Sequence, residues 1–288
     1  MKPFSRIICG TMSWGDWGKK LSIPQMQKLI EQAVDTGIHT FDHADIYGGY
    51  TTEKSFGEAF KKSSLPRENV QFITKCGIQI PCEARPVQVK HYDYTTSHIQ
   101  ASVDNSLKNL NTEYLDLLLL HRPSPLIDEK IINDIITKLQ REGKVKEFGV
   151  SNFTSSQMDL IQQNMPLAWN QIECSLTHEE SMFNGTLDRM KIRGIGAMAW
   201  SPLGTYFKDN SFKKKRIKKV LLPLCQKYES SEDQILLAWL LYHPSKIYPV
   251  VGTTSLTRLQ RAFEAIKIKL EINDWFLLLE ASMGKPMP

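Results

Sequence analysis

Residues 115–123 read LDLLLLHRP. A near-continuous apolar run of this kind, without strict alternation, is the pattern of a parallel β-strand covered on both faces. It stops at His121, so a polar side chain is delivered where the strand ends. Similar runs occupy residues 6–12, 39–44, 70–76, 147–151, 168–174, 196–201 and 247–252. With 115–121 they make eight predicted strands. Helical periods lie between them. Ile99, Val103, Leu107 and Leu110 share one face, and Ile131, Ile135 and Leu139 another, widened by Ile132 and Ile136. Pro24 opens one predicted helix, Gly37 follows its end, and Gly143 closes another. Strands alternating with helices in this number predict a closed α/β architecture, a (β/α)8 barrel with its chemistry at the C-terminal ends of the strands.

The chain has 288 residues. Division by about 150 suggests two domains, but a barrel commonly uses about 250 residues as one. No internal repeat, low-complexity tract or linker divides the sequence, so one domain spanning 1–288 is expected. Two irregular stretches, 77–94 and 203–211, follow predicted strands and should overhang the barrel mouth.

The formal net charge is +5, which raises the question of an anionic partner. Lys213, Lys214, Lys215, Arg216, Lys218 and Lys219 form one basic cluster, and the rest of the chain is close to neutral. One isolated run is weak support for nucleic-acid binding, and none is expected. The five cysteines, at 9, 76, 82, 174 and 225, include no CxxC pair. They read as reduced thiols of a cytoplasmic protein. The opening MKPFSRIICG lacks the apolar stretch of a signal peptide, and runs such as 235–242 fall far short of the roughly 20 residues that span a bilayer. No membrane association is expected.

Polar residues just after barrel strands face the active side. The second predicted strand gives Asp42 and then Tyr47, the third ends at Lys75, and the fourth delivers His121. Each alone has an ordinary structural explanation; four converging from successive strands suggest acid–base chemistry on a carbonyl or alcohol. A tyrosine hydroxyl titrates near 10, and an adjacent ammonium favours the phenolate. Bringing it to about 7 takes roughly 4 kcal/mol of differential stabilisation. On this reading Asp42 fixes Lys75, Lys75 lowers Tyr47, and His121 hydrogen-bonds a substrate oxygen. His39 and His43 lack the acidic partners of a metal site, and no metal is expected. Neither GxGxxG after a strand nor a phosphate-binding GxxxxGK[ST] occurs.

Six motifs occur in order: GIHTFDHADIYGGY at 37–50, FITKCG at 72–77, LDLLLLHRP at 115–123, FGVSNF at 148–153, WNQIE at 169–173 and AWSPLG at 199–204. In this order the chain resembles the aldo-keto reductases from about residue 6 to about 270. HADIYGGY and the ending WFLLLEASMGKPMP look most like the YdhF-like branch of bacterial oxidoreductases. The resemblance implies a (β/α)8 barrel that reduces aldehydes and ketones with a nicotinamide cofactor. It makes Tyr47 the proton donor, with Asp42, Lys75 and His121 completing a tetrad. Gly37, Ala44, Glu53 and Gly57 follow the family pattern around the tyrosine.

The same resemblance implies a cofactor extended across the barrel mouth. Ser151, Asn152 and Gln171 match residues that bond the nicotinamide carboxamide, and Trp200 the aromatic that stacks on its ring. Ser201, Leu203 and Gly204 match the loop passing the pyrophosphate. Thr11, Met12 and Asp42 match the first and second strand ends beside the cofactor. Gly252, Thr253 and Thr254 lead into a helix whose N-terminal amides suit an anion, with Arg258 at the position that grips a 2′-phosphate. NADP(H) is therefore favoured over NAD(H). Thr253 stands where many members carry Lys, and Ala262 where many carry Asn.

Trp14, Trp17 and Tyr50 are candidates for an aromatic substrate wall, which suggests a small aldehyde, ketone or diketone. The expected partner is that small substrate, with the chain a monomer or weak oligomer. Two rival readings are a cofactor-bound regulatory subunit with slow turnover and a nucleic-acid binder acting through the lysine run. The complete tetrad argues against the first, and the isolation of the run against the second.

Overall fold

In a computed structural model describing residues 3–83, 85–208 and 210–287, the eight predicted strands close into a barrel. They are β1 (Ile8–Gly10), β2 (Thr40–Asp42), β3 (Gln71–Cys76), β4 (Leu115–Leu120), β5 (Val145–Ser151), β6 (Trp169–Glu173), β7 (Gly196–Trp200) and β8 (Tyr248–Val251). All neighbours pair in parallel, in the order 1-8-7-6-5-4-3-2.

Strand alternation explains both the core and the site. Successive side chains on a strand point to opposite faces. Leu117 and Leu119 of β4 join Ile8, Ile73, Met198 and Val250 in the barrel interior, closed below by Phe4, Trp169 and Tyr248. Leu118 and Leu120 pack outward into the larger core beneath the helices. Both faces of β4 are therefore buried, which is why its sequence shows no alternation.

Moving two residues up each inward row replaces these apolar groups with a functional layer. Ile73 is followed by Lys75, Leu119 by His121, Trp169 by Gln171, Met198 by Trp200 and Val250 by Gly252. The register Asp42↔Ile73 and Lys75↔Leu119 holds these strand ends at neighbouring heights.

The helices carry the expected punctuation. Ser22 and Gln25 form a capping box at Ile23–Thr36, and Gly37 ends that helix in the left-handed region at φ 100°. Asp128 accepts from the amides of Lys130 and Ile131 at the start of Glu129–Arg141. One detail differs from the sequence reading. Ile132, Ile135, Ile136 and Leu139 face the core, whereas Ile131 is 39% exposed at the edge of the stripe.

The stretch after β3 is not wholly irregular. Ile78–Gln79 pairs antiparallel with His91–Tyr92, making a small hairpin over the mouth. Gly77 turns the chain at φ 106°, where an added Cβ would collide with the Tyr94 ring.

Candidate active site

Lys75 is 1% exposed, and its ammonium spends all three donors. Nζ donates to Asp42 Oδ2 at 2.7 Å, to the His43 carbonyl at 2.8 Å and to the Tyr47 hydroxyl at 3.2 Å. Asp42 Oδ1 accepts from Gln171 Nε2 at 2.8 Å, so both carboxylate oxygens are fixed. Tyr47 follows β2 at the start of a turn whose next three residues, Gly48, Gly49 and Tyr50, all have positive φ. Two glycines make this turn accessible at low steric cost and swing Tyr47 back over Lys75. The Tyr47 hydroxyl accepts from Lys75 and donates to no acceptor among the described residues. The His121 ring stands edge-on to that of Tyr47, with centroids 6.1 Å apart.

The electrostatics correct one expectation. Burial pushes the Tyr47 phenol above its ordinary value, and the opposing pull of Lys75 does not reverse it. The phenol is thus held in its protonated form, which is the form that donates. Burial opposes the Lys75 ammonium, but Asp42 and Tyr47 outweigh it and raise its pKa above that of ordinary lysine. His121 is driven well below the usual histidine range by burial and then by Lys75, Arg122 and Lys90. It stands neutral, and its Nδ1 has no partner among the described residues.

The candidate cofactor residues connect to this group. Trp200 Nε1 donates to Asn152 Oδ1 at 2.9 Å, Asn152 Nδ2 to Ser151 Oγ at 2.8 Å, and Ser151 Oγ to the Gln171 carbonyl at 2.8 Å. Gln171 then reaches Asp42 through its side chain. A single hydrogen-bonded chain therefore runs from Trp200 to Lys75. Asn152 and Ser201 adopt positive φ, 62° and 48°. These are uncommon for non-glycine residues and mark the sharp exits from β5 and β7.

After β7, Gly204 donates its amide to the Ser201 carbonyl at 2.7 Å, and Leu203 is partly buried beside them. After β8, Gly252 is exposed, with open space where a Cβ would lie. Thr253 Oγ1 accepts from the Ser255 amide at 3.2 Å, and Thr254 is partly exposed. The helix Leu256–Glu264 begins immediately afterwards. Arg258 is exposed on it and forms no ion pair among the described residues. Met12 is exposed at the end of β1.

Two assignments change. Trp14 is not part of a substrate wall: it is 0% exposed, packs on Phe41 and Phe56, and donates from Nε1 to the Thr253 carbonyl. The loop folds back so that the large indole fills the space between the strands and a helix. Trp17, three residues on, is 47% exposed with its ring 6.2 Å from that of Tyr47. Thr11 offers no open surface to a ligand. It is fully buried, and its amide and hydroxyl both donate to the Asp42 carbonyl, which makes it a support for β2. Ala262 is also buried in packing.

Tyr50 lies at the rim, but its hydroxyl is committed, donating to the Ile78 carbonyl and accepting from the Ile80 amide at 3.3 Å each. It ties the hairpin to the turn that carries Tyr47. The lysine run is partly structural as well. Lys213 pairs with Glu179, and Arg216 donates to the carbonyls of Ala281 and Ser282.

Two buried carboxyl groups stand near the tetrad: Glu53, named above only as part of the family pattern, and Asp45, to which the sequence reading gave no role. Glu53 accepts from Thr74 and Ser106, and burial raises its pKa to about 7. Asp45 accepts from Ser102 Oγ at 2.7 Å through one oxygen, the other has no partner among the described residues, and burial raises it to about 7. A carboxyl whose folded pKa lies above its unfolded value keeps a proton that the unfolded chain releases. Its contribution to stability is full below about pH 4 and is lost as pH rises through about 7. Asp45→Asn removes this loss. In urea unfolding, the variant is expected to gain stability over the wild type between pH 5.5 and pH 8; equal dependence on pH would contradict the assignment.

Arg122, next to His121, was also passed over, although it too follows β4. Its guanidinium lies 5.3 Å from the centroid of the Trp200 ring. Among the described residues no group of His, Cys, Asp and Glu could hold a metal ion, and no helix is long and apolar enough to cross a membrane.

A sequence profile of the Aldo/keto reductase family matches residues 6–281. The chain is 42% identical to the uncharacterized oxidoreductase YcsN of Bacillus subtilis, over 99% of this chain and 96% of that protein. It is 39% identical to the oxidoreductase YdhF of Escherichia coli, with the same coverage. It is 38% identical to a 6-dehydroglucose reductase of Agrobacterium fabrum, over 98% and 95%. Among solved structures, the thermostable aldo-keto reductase Tm1743 superposes with a TM-score of 0.81, covering 96% of this chain and 94% of that one at 24% identity. That likeness shares the barrel fold.

Proposed function

The chain belongs to the aldo/keto reductase family and is an NAD(P)H-dependent oxidoreductase, and we propose that it reduces aldehydes or ketones with NADPH, Tyr47 protonating the carbonyl oxygen. The observation that carries this reading is the Lys75 ammonium, bonded at once to Asp42 and to the Tyr47 hydroxyl. A buried, fixed cation beside a protonated phenol stabilises the negative charge that develops on the phenol as its proton leaves. Neutral His121 supplies a donor for the same oxygen and orients it toward Tyr47. Trp17 stands beside the Tyr47 ring at the rim, with centroids 6.2 Å apart.

The residues at the mouth fit a nicotinamide dinucleotide. Trp200 offers a half-buried aromatic face, Asn152 and Ser151 offer fixed amide and hydroxyl groups, and Gly252 leaves open space before a helix N-terminus. When bound, the nicotinamide supplies the hydride. Arg258, free of any carboxylate among the described residues, suits a 2′-phosphate through its planar fork of donors. The five unpaired cysteines agree with a reducing, cytosolic setting. The relative named 6-dehydroglucose reductase supports an aldehyde as the substrate group.

Two measurements test the proposal. NADPH consumption across a panel of aldehydes and ketones should give alcohol in equal amounts, and its absence across the panel would overturn the activity. Quenching of tryptophan fluorescence should report NADPH binding about tenfold or more tighter than NADH, because a charge-assisted contact is worth roughly 1.5–3 kcal/mol. Arg258→Ala is expected to erase most of that difference. Equal affinities in the wild type would contradict the NADP(H) assignment.

A further inference from the structure

The reductase reading leaves a strong cation unused. The Arg122 main chain is clamped by one hydroxyl: Tyr94 donates to its carbonyl at 2.5 Å and accepts from its amide at 3.2 Å. Its guanidinium, by contrast, donates to no acceptor and meets no carboxylate among the described residues. A buried or half-buried arginine ordinarily spends its donors on carboxylates or carbonyls. Among the described residues its side chain makes one ring contact, to Trp200 at 5.3 Å. Stacking on an aromatic face leaves the edge N–H groups of a guanidinium open to a planar acceptor.

The position narrows what that acceptor is. Arg122 adjoins His121 in sequence, and its guanidinium lies beside the Trp200 ring, on the side of the barrel where His121 and Tyr47 meet. Arg122 also acts electrostatically on both Tyr47 and His121, and Lys90 adds a second positive charge at His121. On the same rim, Asp16 is paired with Lys20. The 2′-phosphate of a dinucleotide does not explain the cation: its candidate residues, Gly252 to Arg258, follow β8, and β4 lies four strands from β8 in either direction around the ring.

We infer that Arg122 is the specificity-determining residue for a substrate that carries a carboxylate as well as its carbonyl, and that the guanidinium holds this carboxylate while His121 and Tyr47 hold the carbonyl oxygen. The inference rests on the proposed reductase activity and names its substrate class, an oxo acid. It adds a cation to the aromatic substrate wall expected from Trp14, Trp17 and Tyr50.

A matched pair of aldehydes tests it: terephthalaldehydic acid and its methyl ester, which share a ring and a carbonyl but differ in charge. With saturating NADPH, the wild type is expected to show kcat/KM about tenfold or more higher for the acid, the size of one charge-assisted hydrogen bond. Arg122→Gln should bring the ratio near one, and Arg122→Lys should keep part of it. A ratio near one in the wild type overturns the inference. So does a ratio that survives Arg122→Gln, or an equal fall for both aldehydes, which would place the effect on Tyr47 rather than on the substrate. If neither aldehyde is reduced, the reductase reading fails by itself. Calorimetric binding of terephthalaldehydic acid to the NADP+-loaded protein then decides the role of Arg122, with about tenfold weakening expected in Arg122→Gln and equal affinity contradicting it.

Discussion

Tyr47→Phe is expected to lower kcat for carbonyl reduction by about a hundredfold to ten-thousandfold, the range associated with a positioned general acid. The variant removes one oxygen and little else. The Tyr47 hydroxyl has a single hydrogen bond among the described residues, from Lys75 at 3.2 Å, and Lys75 keeps Asp42 and the His43 carbonyl. The ring remains packed between Trp17 and His121. Folding and cofactor affinity should therefore change little while turnover collapses. A fall in kcat with NADPH binding preserved identifies the hydroxyl as the proton donor. A matching loss of NADPH affinity would instead show that the ring shapes the cofactor site.

Lys75→Met is expected to cost about 3–5 kcal/mol of folding stability, because breaking a buried ion pair leaves its partner charged and uncompensated. Asp42 is as buried as Lys75, and without the ammonium its carboxylate keeps, among the described residues, only Gln171 as a side-chain donor. Pairing the change with Asp42→Asn removes the stranded charge and should recover a substantial part of the loss. Both variants should be inactive, since neither stabilises the negative charge left on the Tyr47 oxygen as its proton departs. Urea unfolding reads the stabilities. A single variant within about 1 kcal/mol of the wild type would show that water reaches Asp42 and relieves it.

These two residues show why part of the site could be read from sequence. Barrel strands turn alternate residues inward, so the first polar residue beyond an inward apolar row lies at the mouth. Lys75 follows Ile73 in this way, and His121 follows Leu119. The eight strands were legible for a related reason. Both of their faces are buried, which leaves near-continuous apolar runs, a pattern that among the described helices the buried Glu232–Leu241 also shows.

Other features depended on contacts distant in sequence. Trp14 and Trp17 lie in one glycine-containing loop, and no local pattern separates them. Trp14 is drawn inward by Phe41, Phe56 and a carbonyl beyond β8, whereas Trp17 remains at the rim. The hairpin after β3 has strands of two residues, too short to display a period. The direction of the Tyr47 shift was misread because sequence shows the neighbouring charge of Lys75 but not the extent of burial. Arg122 shares its strand end with His121, and sequence alone does not show that its guanidinium lies beside Trp200 rather than on a carboxylate.

The most direct measurement is a single turnover. The protein is loaded with one equivalent of NADPH and mixed rapidly with an excess of an aldehyde, and the nicotinamide absorbance is followed in the wild type and in Tyr47→Phe. The account predicts complete oxidation of the bound NADPH by the wild type, with alcohol formed in equal amount. It also predicts a rate at least about a hundredfold slower in the variant. Oxidation at the same rate in both proteins would contradict Tyr47 as the acid, and no oxidation in either would contradict the activity itself.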